Sequence, residues 1–140
     1  MTAAEVGYTM FWQLSRDGSR DSRGLTVTLP VRTQSENNMR DHPMARHRRR
    51  KAQRTQVGRI VGVLLKLEPV AAPWCVELTR VAPRELDGDN LQGSLKAVRD
   101  AVADALGVDD RDRRVRWEYD QQKGAVRQYA IRVTIRTEVA

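Results

Sequence analysis

The chain is poor in the residues that most metal and redox chemistry uses. It has one cysteine, Cys75, in 140 residues, so it can close no internal disulfide and build no cysteine-based zinc site. That count fits a reducing cytoplasm. With two histidines beside that one cysteine, nothing supports a Cys–His catalytic pair. No apolar run approaches the roughly 18 residues of a membrane span. The first residues lack a basic start and an apolar stretch, which predicts no secretory signal. Neither G-x-x-x-x-G-K-[ST] nor G-x-G-x-x-G occurs, so no nucleotide cofactor is expected. The acid-x-Lys triplet of restriction-type nucleases is also missing. The run Asp87-Gly88-Asp89-Asn90-Leu91-Gln92 starts like a calcium loop and then fails. Its fifth position is Leu91, its sixth Gln92 instead of Gly, and its twelfth Val98 instead of Glu.

What the chain has in quantity is positive charge. The formal net charge is +7 and the pI about 10.3. A balance of this kind points to a polyanion, nucleic acid more often than membrane. Of 25 basic residues 21 are Arg, whose guanidinium grips phosphate through two N–H groups; Arg usage also follows the base composition of a genome. Residues 32–59 hold nine basic and two acidic side chains, a local +7. Arg46, Arg48, Arg49, Arg50, Lys51 and Arg54 are the dense part of that run. Such a run is either a solvated helix face or a nucleic-acid contact, and its density favours the second. Val57, Ile60, Val61 and Leu64 follow at helical spacing, so the basic run is read as the N-terminal half of a helix ending near Leu67.

The opposite sign gathers elsewhere. Residues 85–112 hold eight Asp or Glu against three Lys or Arg. A helix is predicted to start at Asp89-Asn90 and to stop at Gly107, with Leu91, Leu95, Val98, Val102 and Leu106 as its apolar stripe. Carboxylates flank it: Asp87 and Asp89 before, Asp109, Asp110 and Asp112 after. Two carboxylates 4 Å apart repel by about 4 kcal/mol at an effective dielectric of 20. A divalent metal would remove that repulsion; a helix cap and a solvated loop would avoid it.

The remaining pattern reads as strands. Leu25, Val27, Leu29 and Val31 alternate with Thr26 and Thr28, and Pro30 marks an end. Trp74, Val76 and Leu78 form a second strand. Val115, Trp117 and Tyr119 form a third, Asp120 to Ala125 a hairpin turn, and Tyr129, Ile131, Val133 and Ile135 a fourth. Residues 1–24 are either an extra strand on Tyr8, Met10, Trp12 and Leu14, turned at Arg16-Asp17-Gly18, or a loose extension. The expected architecture is one α+β domain over residues 25–140. Its order is β-α-β-α-β-β, a mixed sheet with two main helices on one face.

The ordered set of motifs resembles a known family. Asp-x-Asp-Asn-Leu opens an amphipathic helix at Asp87, and an Asp-Asp pair follows about twenty residues later before a strand. Upstream, Leu29-Pro30 precedes Ser35 through His42, with Asn37, Asn38 and Arg40, and then the basic helix. This is similar to the RusA-type Holliday junction resolvases of phages and prophages, over roughly residues 25–136. The resemblance implies a magnesium-dependent endodeoxyribonuclease acting in DNA recombination and repair. It also implies a homodimer that resolves four-way DNA junctions by paired nicks. Carried over, Asp87, Asp89 and Asp110 are the catalytic and Mg²⁺-binding carboxylates. Asn90 is the motif Asn and is assigned, with Asn37, Asn38, Arg40 and the basic run, to nucleic acid. The family's catalytic Lys stands where this chain has Gly93, and the next Lys is Lys96. On a continuous helix Lys96 lies on nearly the same face one turn further along; otherwise it pairs with Asp100 four residues away. Two other classes fit the same residues: a non-catalytic basic nucleic-acid-binding protein, and a nuclease of the same fold that acts on flaps or forks.

Overall fold

The strands are set by alternation. In the clearest of them Ile131, Val133 and Ile135 point to one face, nearly free of solvent, while Arg132, Thr134 and Arg136 point to the other. The computed structural model describes residues 6–14, 20–34 and 42–138. The expected turn at Arg16-Asp17-Gly18 and the segment holding Asn37, Asn38 and Arg40 lie outside the described residues. Five strands form one mixed sheet: β1 (Gly7–Leu14), β2 (Arg20–Leu29), β3 (Trp74–Ala82), β4 (Val115–Lys123) and β5 (Ala130–Thr137). Their spatial order is β1-β2-β5-β3-β4. The extra N-terminal strand is therefore present, paired antiparallel with β2.

Three helices complete the chain: α1 (Pro43–Leu67), α2 (Gly88–Ser94) and α3 (Lys96–Leu106). β2 and β3 each run antiparallel to β5, so they are parallel to each other, and β3 runs parallel to β4. The crossovers β2-α1-β3 and β3-α2-α3-β4 step across the sheet in the same direction. Crossovers of one hand then place their helices on one face. That face carries Leu25, Val27, Leu29, Val76, Leu78, Ile131, Val133 and Ile135, and against it pack Val57, Val61, Val98 and Val102. Gly58 of α1 faces Ala101 of α3, and this lets the two helices approach closely. Among the described residues no helix is long and apolar enough to cross a membrane.

Two expectations are corrected. The third and fourth expected strands are not joined as a hairpin: β4 continues to Lys123, pairs with β3, and is separated from β5 by β3. A strand with a wholly apolar inner row, as β5 has, needs a neighbour on each side. β4 alternates Arg116, Glu118, Asp120 and Gln122 with Trp117 and Tyr119, and such a charged strand tolerates an edge. The acidic-flanked helix is also not continuous; it breaks at Leu95, with φ −101° and ψ 4°. Gly93 weakens the helix there. The Ser94 hydroxyl donates to the Leu91 carbonyl at 2.8 Å, a local bond that bends helices. The stripe survives the break, since Leu91, Leu95, Val98 and Val102 are all buried.

Candidate nucleic-acid interface and carboxylate site

α1 starts where the sequence stops it from starting earlier. Pro43 supplies a preset φ at the first turn, and the His42 ring nitrogen Nδ1 accepts from the Met44 N–H at 3.1 Å. The helix then carries eight Lys or Arg and no Asp or Glu. Its first buried side chain is Val57, so residues 43–56, about 20 Å of helix, bury none. The cations crowd the N-terminal half, toward the positive end of the helix dipole, which does not stabilise them there. Helix stability does not account for their position.

The basic residues divide by environment. Arg48, Arg50, Lys51 and Arg59 have no carboxylate partner among the described residues. Arg48, Lys51, Thr55, Gln56 and Arg59 line a shallow groove along the outer side of α1. Arg46 and Arg49 are half-buried and engaged with other groups of the chain. Arg54 is held by Asp104 of α3 through two parallel bonds, Nε to Oδ2 at 2.7 Å and Nη2 to Oδ1 at 2.8 Å. This pair draws the Asp104 carboxyl below its usual range and clamps the two helices. Arg54 is thereby tied to the fold, while its neighbours face outward.

Where α1 passes the start of α3, a cleft of about 280 Å³ opens, lined by His47, Arg50, Lys51, Arg54, Lys96 and Asp100. The break at Leu95 makes Lys96 the first residue of α3, so the same-face argument for a continuous helix does not apply. Lys96 Nζ nevertheless reaches both carboxylates in question, Asp110 Oδ2 at 2.9 Å and Asp100 Oδ1 at 3.0 Å. The hydrogen bond from Lys96 holds the Asp110 carboxyl below its ordinary pKa, and the same bond raises that of Lys96. The two carry-over positions Lys96 and Asp110, fourteen residues apart, are thus in direct contact.

Asp110 is held by residues the sequence did not single out. Arg99 Nη2 and Trp117 Nε1 both donate to the Asp110 carbonyl, at 2.9 and 3.0 Å. Arg99 Nε lies 3.4 Å from Asp110 Oδ2, an ion pair without the alignment of a hydrogen bond. Arg99 Nη1 donates to the Tyr119 hydroxyl at 2.8 Å, and the guanidinium lies over the Trp117 ring. Trp117 and Tyr119 were legible only as strand alternation, and Arg99 as one more polar helix position. Their convergence needs β4 and α3 side by side, which no local spacing shows.

Asp87 and Asp89 stand apart from this cluster. Asp87, not Asp89 or Asn90, is the cap of α2, and its side chain accepts from the Asn90 N–H at 3.1 Å. Asp89 is exposed in the first turn, and Asn90 is half-buried beside it. The chain entering α2 is pinned by Gln121, whose amide accepts from the Leu86 N–H at 2.9 Å and donates to the Leu86 carbonyl at 2.7 Å. Gln121 lies four residues along β4 from the Trp117 that pins Asp110, a spacing of about 13 Å between the two anchors. Among the described residues no group of three or more His, Cys, Asp or Glu is arranged to hold a metal ion. Asp87, Asp89 and Asp110 are not gathered into one such group. The repulsion expected within residues 85–112 is largely answered by side chains. Lys96 and Arg99 face Asp110, Arg54 faces Asp104, and Arg114 holds the Asp112 carboxyl down at about 2.

No family model matches the chain, and no curated protein matches it.

Proposed function

We propose that the protein grips the backbone of branched DNA with α1 and cuts it at the cleft between α1 and α3. In this reading it is a structure-specific endodeoxyribonuclease of the RusA type. One observation carries the reading: Arg50 and Lys51 of α1, without a carboxylate partner among the described residues, line one opening with Lys96, which also holds Asp110. Phosphates drawn onto Arg48, Arg50 and Lys51 would release counterions, which gives affinity without sequence preference. A phosphate entering the cleft would compete with Asp100 and Asp110 for the Lys96 ammonium. That exchange would leave Lys96 on the phosphate and both carboxylates uncovered. Arg99 and Trp117 would keep the Asp110 backbone in place during the exchange. A four-way junction has approximate two-fold symmetry, and a C₂ homodimer would present two such clefts to it. Such a protein would act on DNA in a reducing cytoplasm.

Magnesium is implied by the family resemblance alone. The separation of Asp87 and Asp89 from Asp110 favours a second reading, a basic DNA-binding protein without catalysis. One assay separates the two. Labelled four-way junction, flap and plain duplex are incubated with the full chain, with Mg²⁺ or with EDTA. The nuclease reading expects all three to be bound in EDTA, and the junction alone to be nicked symmetrically once Mg²⁺ is present. Binding without nicking in either buffer leaves the second reading standing. Faster cutting of the flap would move the substrate to flaps or forks. Failure to bind any of the three would refute both.

A further inference from the structure

Arg80 is a cation that the fold buries without a counter-charge among the described residues. It sits near the end of β3 on the face that packs against the helices, opposite Ile131 of β5 and Gln121 of β4. It is 7 % exposed. Among the described residues its bonds go to two carbonyls, Nη1 to Arg84 at 2.7 Å and Nε to Thr33 at a long 3.4 Å. Nη2 has no hydrogen-bond partner among the described residues and is not sealed from solvent. Among the described residues no carboxylate reaches the guanidinium. Burial is the main cause that pushes the Arg80 pKa down; Tyr129 acts against it, and Arg32, another cation, adds to it. Thr33 is 2 % exposed, and its hydroxyl Oγ1 is buried with no hydrogen-bond partner among the described residues. Buried charges are ordinarily paired and buried hydroxyls ordinarily bonded. Here a buried guanidinium bonded only to neutral carbonyls adjoins a buried hydroxyl without a hydrogen-bond partner among the described residues, beside a second Arg. The complement of that set is an anion with several acceptor oxygens.

We propose that Arg80 and Thr33 form an anion subsite that takes one phosphate. If the DNA reading above is right, on which this occupant rests, that phosphate belongs to the nucleic-acid backbone. Arg80 Nη2 donates to one phosphate oxygen and Thr33 Oγ1 to another, while Arg32 adds charge at the rim. The subsite lies at the end of the sheet where β2 and β3 leave it, and its residues are distinct from those of the Lys96 cleft.

The test uses the full chain and two probes, inorganic phosphate and a short DNA duplex. Melting is followed as phosphate is added, against sodium chloride at matched ionic strength. The wild type is expected to gain Tm with phosphate beyond chloride. Arg80→Met and Thr33→Val are expected to lose most of that gain, and Arg80→Lys to keep part of it. For the duplex, the slope of log affinity against log salt should fall by about 0.9 in Arg80→Met, the loss of one phosphate contact. Thr33→Val removes one hydroxyl and keeps the shape, so it reports on the site even if Arg80→Met folds poorly. Equal phosphate and chloride responses in the wild type, or an unchanged phosphate response in both Arg80→Met and Thr33→Val, would overturn the subsite. A chain that ignores DNA yet loses its phosphate response in these variants would keep the subsite and remove the DNA reading.

Discussion

Lys96→Ala separates a structural bridge from a functional one. The ammonium touches two carboxylates, Asp110 at 2.9 Å and Asp100 at 3.0 Å, and its side chain is 52 % exposed. Solvent screens such contacts, so each is held to the scale of surface pairs, about 0.3–0.5 kcal/mol for the i,i+4 pair and up to about 1 kcal/mol for the other. Removing Lys96 should therefore cost about 1 kcal/mol at pH 7, a fall in Tm of roughly 3–4 °C for a domain of this size. The pH dependence carries its own sign. The folded-state pKa of Asp110 is depressed, chiefly by Lys96, so its share of stability is present above the ordinary carboxylate pKa. That share is lost as pH falls through the depressed value. The Tm gap between wild type and Lys96→Ala should thus shrink as pH drops from 7 to 3. If Lys96 also meets the transition state, single-turnover cleavage of a four-way junction should fall by about 10²-fold or more, while DNA affinity changes little. A Tm gap that stays constant down to pH 3 would refute the ion-pair account. An unchanged cleavage rate would remove Lys96 from the chemistry and leave it as the bridge between α3 and the Asp110 loop.

Three further outcomes are expected. Replacing Arg48, Arg50 and Lys51 together by Ala should lower the salt slope of duplex binding by up to about 2.7, equally for unrelated sequences, and a filter-binding titration that shows no change would place these cations outside the interface. Gly62→Ala should raise stability to urea by about 0.5–1 kcal/mol, because a Cβ there meets nothing within 4 Å and Ala is the better helix former; a loss would mean that α1 packs differently at that turn. Asp87→Ala should cost about 1 kcal/mol by removing the cap of α2, whereas Asp87→Asn should cost far less; equal losses in thermal melts would show that the carboxylate charge, and not the cap, matters there.

The separation of charge in this chain explains why its two poles meet without collapsing. Acidic side chains of α3 do not neutralise the basic run of α1 wholesale. Asp104 takes Arg54, and Lys96 takes Asp100 and Asp110. Arg48, Arg50, Lys51 and Arg59 of α1 have no carboxylate partner among the described residues. The helices are locked by a few paired charges and an apolar seam through Gly58 and Ala101, so the outward face is free of structural duty.

Local sequence alone determined most of the elements. Alternation over Ile131 to Ile135, the basic half of α1 running into Val57, Val61 and Leu64, and the left-handed stop at Gly107 all depend on residues within a few positions of one another. Periodicity and cap chemistry act at that range, so these elements were legible. The tertiary structure decided what depends on distant neighbours. β5 lies between β2 and β3, and β4 is sent to the edge, because burial of a whole apolar row is settled by what covers it and not by the row itself. Ser94 and Leu95 break a helix whose stripe reads as unbroken, since a local hydroxyl bond and the pull of the core compete with the 3.6-residue repeat. The clasp of Arg99, Trp117 and Tyr119 around Asp110, and the burial of Arg80 beside Thr33, exist only where separate segments converge. Motif spacing named three carboxylates as one set. The fold joins Asp110 to Lys96 and gives Asp87 to a helix cap, because each carboxylate is placed by the element that anchors it.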